Sequence, residues 1–114
     1  MKAAVTVKEN GTFRRLYRKG KSAVAPCMVV YCQKNRQGLS RLGVTVSAKL
    51  GGAVVRNRVR RQIREMYRLH KPEMVPGYDV IVVARSRSVR TPYGKMDGQY
   101  TALLEQLALW EAAR

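Results

Sequence analysis

The stretch Ala53–Arg68, AVVRNRVRRQIREMYR, carries six arginines and a single acid, Glu65. Placed on a helix at about 100° per residue, Val55, Val59, Ile63, Met66 and Tyr67 fall on one face. Arg60, Arg64, Asn57, Arg68 and Arg61 cover the opposite face, and Arg56 and Arg58 flank the apolar stripe. The spacing predicts a helix over Ala53–His70, with Pro72 helping to end it. Such a helix packs by its aliphatic side and turns a fan of guanidiniums outward.

That arrangement has an energetic cost. Arg60, Arg64 and Arg68 form a like-charged i,i+4 series, and such pairs destabilise a helix by a few tenths of a kcal/mol each. Glu65 offers relief through Arg61, four residues before it. A face that is merely solvated mixes its signs and takes lysine as readily as arginine. Arginine at all six positions points instead to two-point contacts with phosphate and to stacking on bases. A phosphate backbone is the ligand that offsets the repulsion.

Working outward, the period on the upstream side is that of strands. RLGVTVS (Arg41–Ser47) and CMVVYCQ (Cys27–Gln33) read as two strands that pair as an antiparallel hairpin across the polar loop KNRQGLS. KSAV (Lys21–Val24) reads as an edge strand broken by Pro26. In ENGTFRRLYRKG, Phe13, Leu16 and Tyr17 give a short helix one apolar stripe, and Gly20 stops it. Residues 1–8 read as loose. Downstream, YDVIVVAR is a continuous apolar run and hence a buried strand. Met96–Arg114 reads as a C-terminal helix with Tyr100, Leu103, Leu104, Leu107 and Trp110 on its buried side. The order is α-β-β-β-α-β-α. It predicts an α/β two-layer sandwich on a small sheet, as one domain over residues 1–114 with no internal linker.

Composition narrows the partner. The chain has 114 residues, 46% of them apolar, and 23 Lys and Arg against 7 Asp and Glu, for a net charge of +16. Residues 1–71 hold 18 of the bases and 2 of the acids, so the whole excess belongs to that part. RNA, DNA and an anionic membrane are the polyanions that fit. DNA is disfavoured because no helix-turn-helix, zinc finger or basic-zipper pattern occurs. A membrane surface is disfavoured because the aliphatic face of the arginine helix is needed for a core. No apolar run approaches a membrane span, and the N-terminus lacks the apolar segment of a signal peptide. The expected location is the cytoplasm. Cys27 and Cys32, oddly spaced, fall on opposite faces of one strand and act as small apolar fillers without a bridge. With no CxxC pair and no histidine cluster, no metal site is expected on the protein. His70, at a helix C-terminus, reads as a charge–dipole contact and not as a catalyst.

At this point the residues resemble a known family. RLGVTVSAKLGGAVVRNRVRRQIREMYR is similar to the signature of the bacterial ribonuclease P protein subunit, with Arg56-Asn57-Arg58 at its centre. FRRLYRKGKSAVAPCMVVYCQKN resembles that family's N-terminal pattern, and YDVIVVAR its last strand. The resemblance implies a small mixed four-stranded sheet with a left-handed β-α-β crossover, a hand the usual rule would not predict. It also implies a subunit that binds a catalytic RNA and the 5′ leader of precursor tRNA, aiding endonucleolytic removal of the leader. The chemistry would rest on the RNA, with Mg²⁺ acting through it and no ion held tightly by the protein.

Carried onto this chain, Arg56, Asn57, Arg58, Arg60, Arg61, Arg64 and Arg68 would bind the RNA subunit. Phe13, Tyr17, Val29, Tyr31, Thr45 and Lys49 would line the leader cleft. Strand parity agrees with one face for Val29 and Tyr31, and Thr45 shares its face with Ser47. Where the family often has two basic residues, this chain has Ala48-Lys49. The alternative is a structural RNA-binding protein of the ribosome type, which has little use for exposed stacking positions. A protein-only nuclease would need clustered carboxylates or a histidine pair. The acids Glu9, Glu65, Glu73, Asp79, Asp97, Glu105 and Glu111 are scattered along the chain.

Overall fold

A strand that is apolar along its whole length needs a neighbour at each edge and cover on both faces. Tyr78–Ala84 obtains both, and its position organises the sheet. The computed structural model describes residues 5–6, 10–35 and 38–110, and side chains from residue 14 onward. Its elements are β1 (Val5–Thr6), α1 (Asn10–Lys19), β2 (Lys21–Val24), β3 (Met28–Lys34), β4 (Arg41–Thr45), α2 (Ala53–His70), β5 (Tyr78–Ala84) and α3 (Tyr93–Gln106). Short 3-10 turns occupy Ala48–Leu50, Lys71–Glu73 and Ser86–Val89.

The sheet order is β1-β4-β5-β3-β2. β5 lies at the centre, antiparallel to β3 and parallel to β4. The expected hairpin of β3 with β4 does not form. The continuous apolar run of β5 takes the place between them, because at an edge half of its backbone and one row of side chains would meet water. β2 pairs antiparallel with β3 and forms one edge, as its sequence predicts. The sheet is mixed, with four principal strands and the two-residue β1 paired parallel to β4. Most of residues 1–8, expected to be loose, lie outside the described residues; Val5–Thr6, within them, form β1.

Register sorts the strands into two faces. Ala23, Val30 and Val82 share a row with Val44, and Cys32 shares the next with Val80 and Leu42. This face packs against Val59, Ile63, Met66 and Tyr67 of α2 and Met96, Tyr100, Leu103 and Leu104 of α3, in one core cluster. α1 packs over β3. Leu16 of α1 and Ile81 of β5 are both fully buried yet stand outside the core cluster. Ile81 lies between Tyr31 and Gly43, on the other face.

Gly20 sets how α1 meets the sheet. A Cβ there would stand 2.7 Å from the Leu16 carbonyl oxygen and 2.8 Å from that of Cys32. Glycine alone allows the helix to end against β3 and turn directly into β2. Gly51 is favoured for a different reason: its φ of 151°, where the Ala48–Leu50 turn passes into α2, is one that residues with a Cβ rarely adopt.

Cys27 and Cys32 are free thiols, and burial raises the pKa of both. They do not lie on opposite faces. Cys27 precedes β3, and both enter the same core cluster. The C-terminal helix also differs from its expected span. It starts at Tyr93, with Pro92 as the cap residue, and ends at Gln106. Leu109 N–H donates to the Leu104 carbonyl at 2.9 Å, and Ala108 adopts φ 57°. A non-glycine residue there costs about 1 kcal/mol. The turn buries Leu107 and Leu109 and lets Val75 N–H donate to Leu109 O at 2.7 Å. Trp110 therefore sits past the helix, bridged to Met74 and packed against the core. Residues 111–114 of the expected helix lie outside the described residues.

Candidate nucleic-acid interface

α2 spans Ala53–His70, as its sequence predicts, and buries Val59, Ile63, Met66 and Tyr67. Val55 is half-buried beside them. Tyr67 has its pKa pushed up to about 12, by burial first and then by the field of Asp79. The outward side is where the arginines lie. Asn57, Arg58, Arg61 and Arg64 are exposed, and Arg56, Arg60 and Arg68 are half-buried.

Three of the six arginines are steered by neutral partners. Arg56 Nε donates to the Gly51 carbonyl at 3.2 Å, and Arg58 Nη2 to that of Val89 at 2.8 Å. Arg60 Nη1 donates to Asn57 Oδ1 at 3.0 Å. A guanidinium has five N–H donors, so each keeps others for a ligand. The relief for like charge comes from a different pair than expected. Glu65 binds Arg68, with Nε to Oε1 at 2.9 Å, and not Arg61. One turn of helix explains the choice, since i,i+3 and i,i+4 are both in reach. The Arg68 hydrogen bond also lowers the Glu65 pKa. Arg61 and Arg64 make no ion pair among the described residues.

The second surface is the α1 side of the sheet. Val24, Val29, Val83 and Thr45 form one cross-strand row, and Ser22, Tyr31, Ile81 and Gly43 form the next. Tyr17 stands over them. Its ring meets that of Tyr31 edge-on at 4.8 Å, and its hydroxyl lies 3.5 Å from Thr45 Oγ1. Tyr17 is 43% exposed and Val24 59%, while Val29, Tyr31, Val83 and Thr45 are half-buried. The result is an open apolar floor with two phenol rings at its side. Phe13 lies in α1, but its side chain falls outside the described ones.

The same face is closed at its other end. Asp79 is buried, and Arg41 grips it with Nε and Nη2, each at 2.7 Å. Asn35 Nδ2 donates to the same carboxylate at 2.9 Å. Burial pushes the Asp79 pKa up, but Arg41 and Asn35 outweigh it and hold the carboxyl below its usual range. β4 and β5 are thereby tied to each other and to the residue that follows β3 at that end of the floor.

Lys49 joins the two surfaces. It is exposed on the Ala48–Leu50 turn, between Thr45 at the end of β4 and the start of α2. That turn contacts the Ser86–Val89 turn, on and beside which Arg87 and Arg90 are exposed. Sequence reading missed these two, because residues 72–114 balance to zero overall. The local signal was that Arg85, Arg87, Arg90 and Lys95 have no acid among them. Val83 was missed for another reason: a continuous apolar run has no alternation from which to choose a face, and Val24 joins the row only through the pairing of β2 with β3.

His70 is held by more than the helix dipole. Its Nε2 lies 2.6 Å from Asp97 Oδ1, and its ring packs on Tyr100 and Trp110. No group of three or more His, Cys, Asp or Glu side chains that could hold a metal ion occurs among the described residues. No helix among them is long and apolar enough to cross a membrane.

A basic α/β domain with an arginine-faced helix and an open aromatic-sided floor belongs to the class of RNA-binding proteins. Comparison with known proteins is specific within that class. Residues 1–108 match the family profile described as Ribonuclease P. The ribonuclease P protein component of Natranaerobius thermophilus is 38% identical over 109 residues, covering 96% of this chain and 95% of that protein. The solved RNase P protein of Staphylococcus aureus superposes with a TM-score of 0.85 at 34% identity, covering 94% of this chain and 98% of the other. That of Thermotoga maritima gives 0.80 at 28% identity, covering 89% and 96%. The chain belongs to the ribonuclease P protein component family. It is the protein subunit of a ribonucleoprotein endoribonuclease of tRNA processing, and the ribosome-type alternative is not favoured.

Proposed function

We propose that α2 lies against the catalytic RNA of ribonuclease P and that the open floor holds the single-stranded 5′ leader of precursor tRNA. On α2 the contacts are Arg56, Asn57, Arg58, Arg60, Arg61, Arg64 and Arg68. On the floor they are Phe13, Tyr17, Val29, Tyr31, Thr45 and Lys49, with Val83 and Val24 added. The observation that carries this reading is the row Val24–Val29–Val83–Thr45 beneath Tyr17 and Tyr31. An apolar floor with rings at its side accepts unpaired bases of any sequence. Lys49 leads from it to the arginines, where phosphates are neutralised.

In this reading the protein supplies position and charge, and cleavage belongs to the RNA with its Mg²⁺. The complex works in the cytoplasm, where precursor tRNA is made in bacteria. The purified protein, added to its cognate RNA subunit at low Mg²⁺, stimulates leader removal and alone cleaves nothing. Replacing Arg60 and Arg64 by Ala flattens the salt dependence of RNA binding by about 0.7–0.9 log unit per lost contact. An unchanged slope removes both residues from the interface.

A further inference from the structure

Four cations of α1 belong to neither surface as assigned. Arg14, Arg15, Arg18 and Lys19 are all exposed, and Asn10–Lys19 contains no acid. None of the four has a hydrogen bond or ion pair among the described residues. They form two like-charged pairs at i,i+4, Arg14 with Arg18 and Arg15 with Lys19, and such pairs weaken a helix. Arg18 and Lys19 stand in the last turn, where the helix dipole favours a cation. Arg14 and Arg15 have no such compensation.

The two pairs leave the helix on different sides. Leu16 is fully buried and marks the side that meets the sheet. Measured round the axis from Leu16, Tyr17 lies at about 100°, Arg14 at about 160° and Arg18 at about 200°, while Arg15 and Lys19 lie at about 260° and about 300°. Two observations fix these directions on the sheet. Tyr17 reaches Tyr31 and Thr45 over the open floor. Arg15 faces the closed end, where burial raises the Asp79 pKa and Arg41, Asn35 and Arg15 lower it. Arg14 and Arg18 therefore continue the Tyr17 side of α1 upward, away from the sheet.

We propose that Arg14 and Arg18 hold phosphates of the leader whose bases rest on the floor. The proposal rests on the reading of the floor as the leader site and specifies what holds the backbone there. Bases that pack on Val24, Val29 and Val83 and against the two phenol rings leave their phosphates on the far side, because a charge against an apolar surface loses its water without a partner. The part of α1 at that height is the wall above Tyr17. Side chains at i,i+4 start about 5–6 Å apart, so the pair can serve neighbouring phosphates, each guanidinium by two parallel hydrogen bonds. The contact reads charge and not sequence, as the floor does.

The test uses the holoenzyme assembled from the RNA subunit and the full-length protein. Arg14→Ala with Arg18→Ala is compared with Arg15→Ala with Lys19→Ala. Each double variant removes one mid-helix arginine and one last-turn cation, so net charge and helix compensation are matched. All four sites are exposed and alanine favours the helix, so both variants fold. The first binds leader-bearing precursor more weakly, and its plot of log affinity against log salt is flatter by about 0.7 per lost contact. Its affinity for mature tRNA is unchanged, and the second variant keeps the original slope. A precursor with methylphosphonate linkages in the leader, neutral where phosphodiesters are charged, binds the first variant and the unchanged protein equally. Equal losses in the two double variants, an equal loss for mature tRNA, an unchanged slope, or a loss that persists on the neutral leader overturns the proposal. Failure of the underlying reading looks different: Tyr17→Ala then weakens precursor and mature tRNA equally.

Discussion

The two faces of the sheet are built from the same strands and treated oppositely. On one, α2 and α3 bury Val30, Cys32, Val80 and Val82 beneath Ile63, Met66, Tyr100 and Leu104. On the other, α1 covers only part of the surface. Leu16 and Ile81 are sealed there, while the row from Val24 to Thr45 stays open. A face covered by two helices provides stability. A face covered by one short helix keeps apolar area in reach of a ligand, and the Arg41–Asp79–Asn35 network holds the strands beneath it in register. The two functions are separated by the alternation of side chains along each strand.

This contrast can be broken most severely from the closed side. Leu104→Ala, at a fully buried site, lowers stability by about 3–4 kcal/mol. The measurement is the denaturant midpoint, and affinity for leader-bearing precursor is retained wherever the variant is folded. A loss of leader affinity in the folded variant would mean the faces are not independent.

Arg41→Met attacks the closed end of the open face. It leaves Asp79 buried and unpaired, at a cost of about 3 kcal/mol at neutral pH. The sign follows from the lowered Asp79 pKa. The stabilisation is present above the unfolded carboxyl value and lost as pH falls through the folded one. The stability gap between variant and unchanged protein therefore narrows below about pH 4. A gap independent of pH would assign the loss to packing alone.

Tyr17→Ala sharpens the comparison from the open side. Affinity for leader-bearing precursor falls by about 1–3 kcal/mol, affinity for mature tRNA is unchanged, and stability moves by no more than about 0.5 kcal/mol. Equal losses for both substrates would make Tyr17 a staple of α1 and not a binding group. The smallest effect belongs to Tyr17→Phe, a few tenths of a kcal/mol. It keeps the ring against Tyr31 and gives up a contact to Thr45 that, at 3.5 Å, is already long.

Several site residues were legible because local chemistry places them. The arginines of α2 follow from its helical period, which its burial pattern repeats. Val29 and Tyr31 came from the family resemblance, and strand parity agrees with placing them on one face. Glu65 was misassigned to Arg61 because sequence distance cannot rank i+3 against i−4 once rotamers are free. Arg87 and Arg90 were hidden in a charge balance taken over too long a segment.

The sequence by itself determined where α2 begins and ends, which of its sides is apolar, that Tyr78–Ala84 is a buried strand, and that the partner is a polyanion. Each of these depends on residues within a turn or two of one another, where periodicity and charge act locally. Only the tertiary structure decided that β5 separates β3 from β4, that Val83 completes the floor, and that Ala108 turns the chain back to Val75. Those are outcomes of competition between distant segments for the same buried area and backbone hydrogen bonds, and no local pattern records which segment prevails.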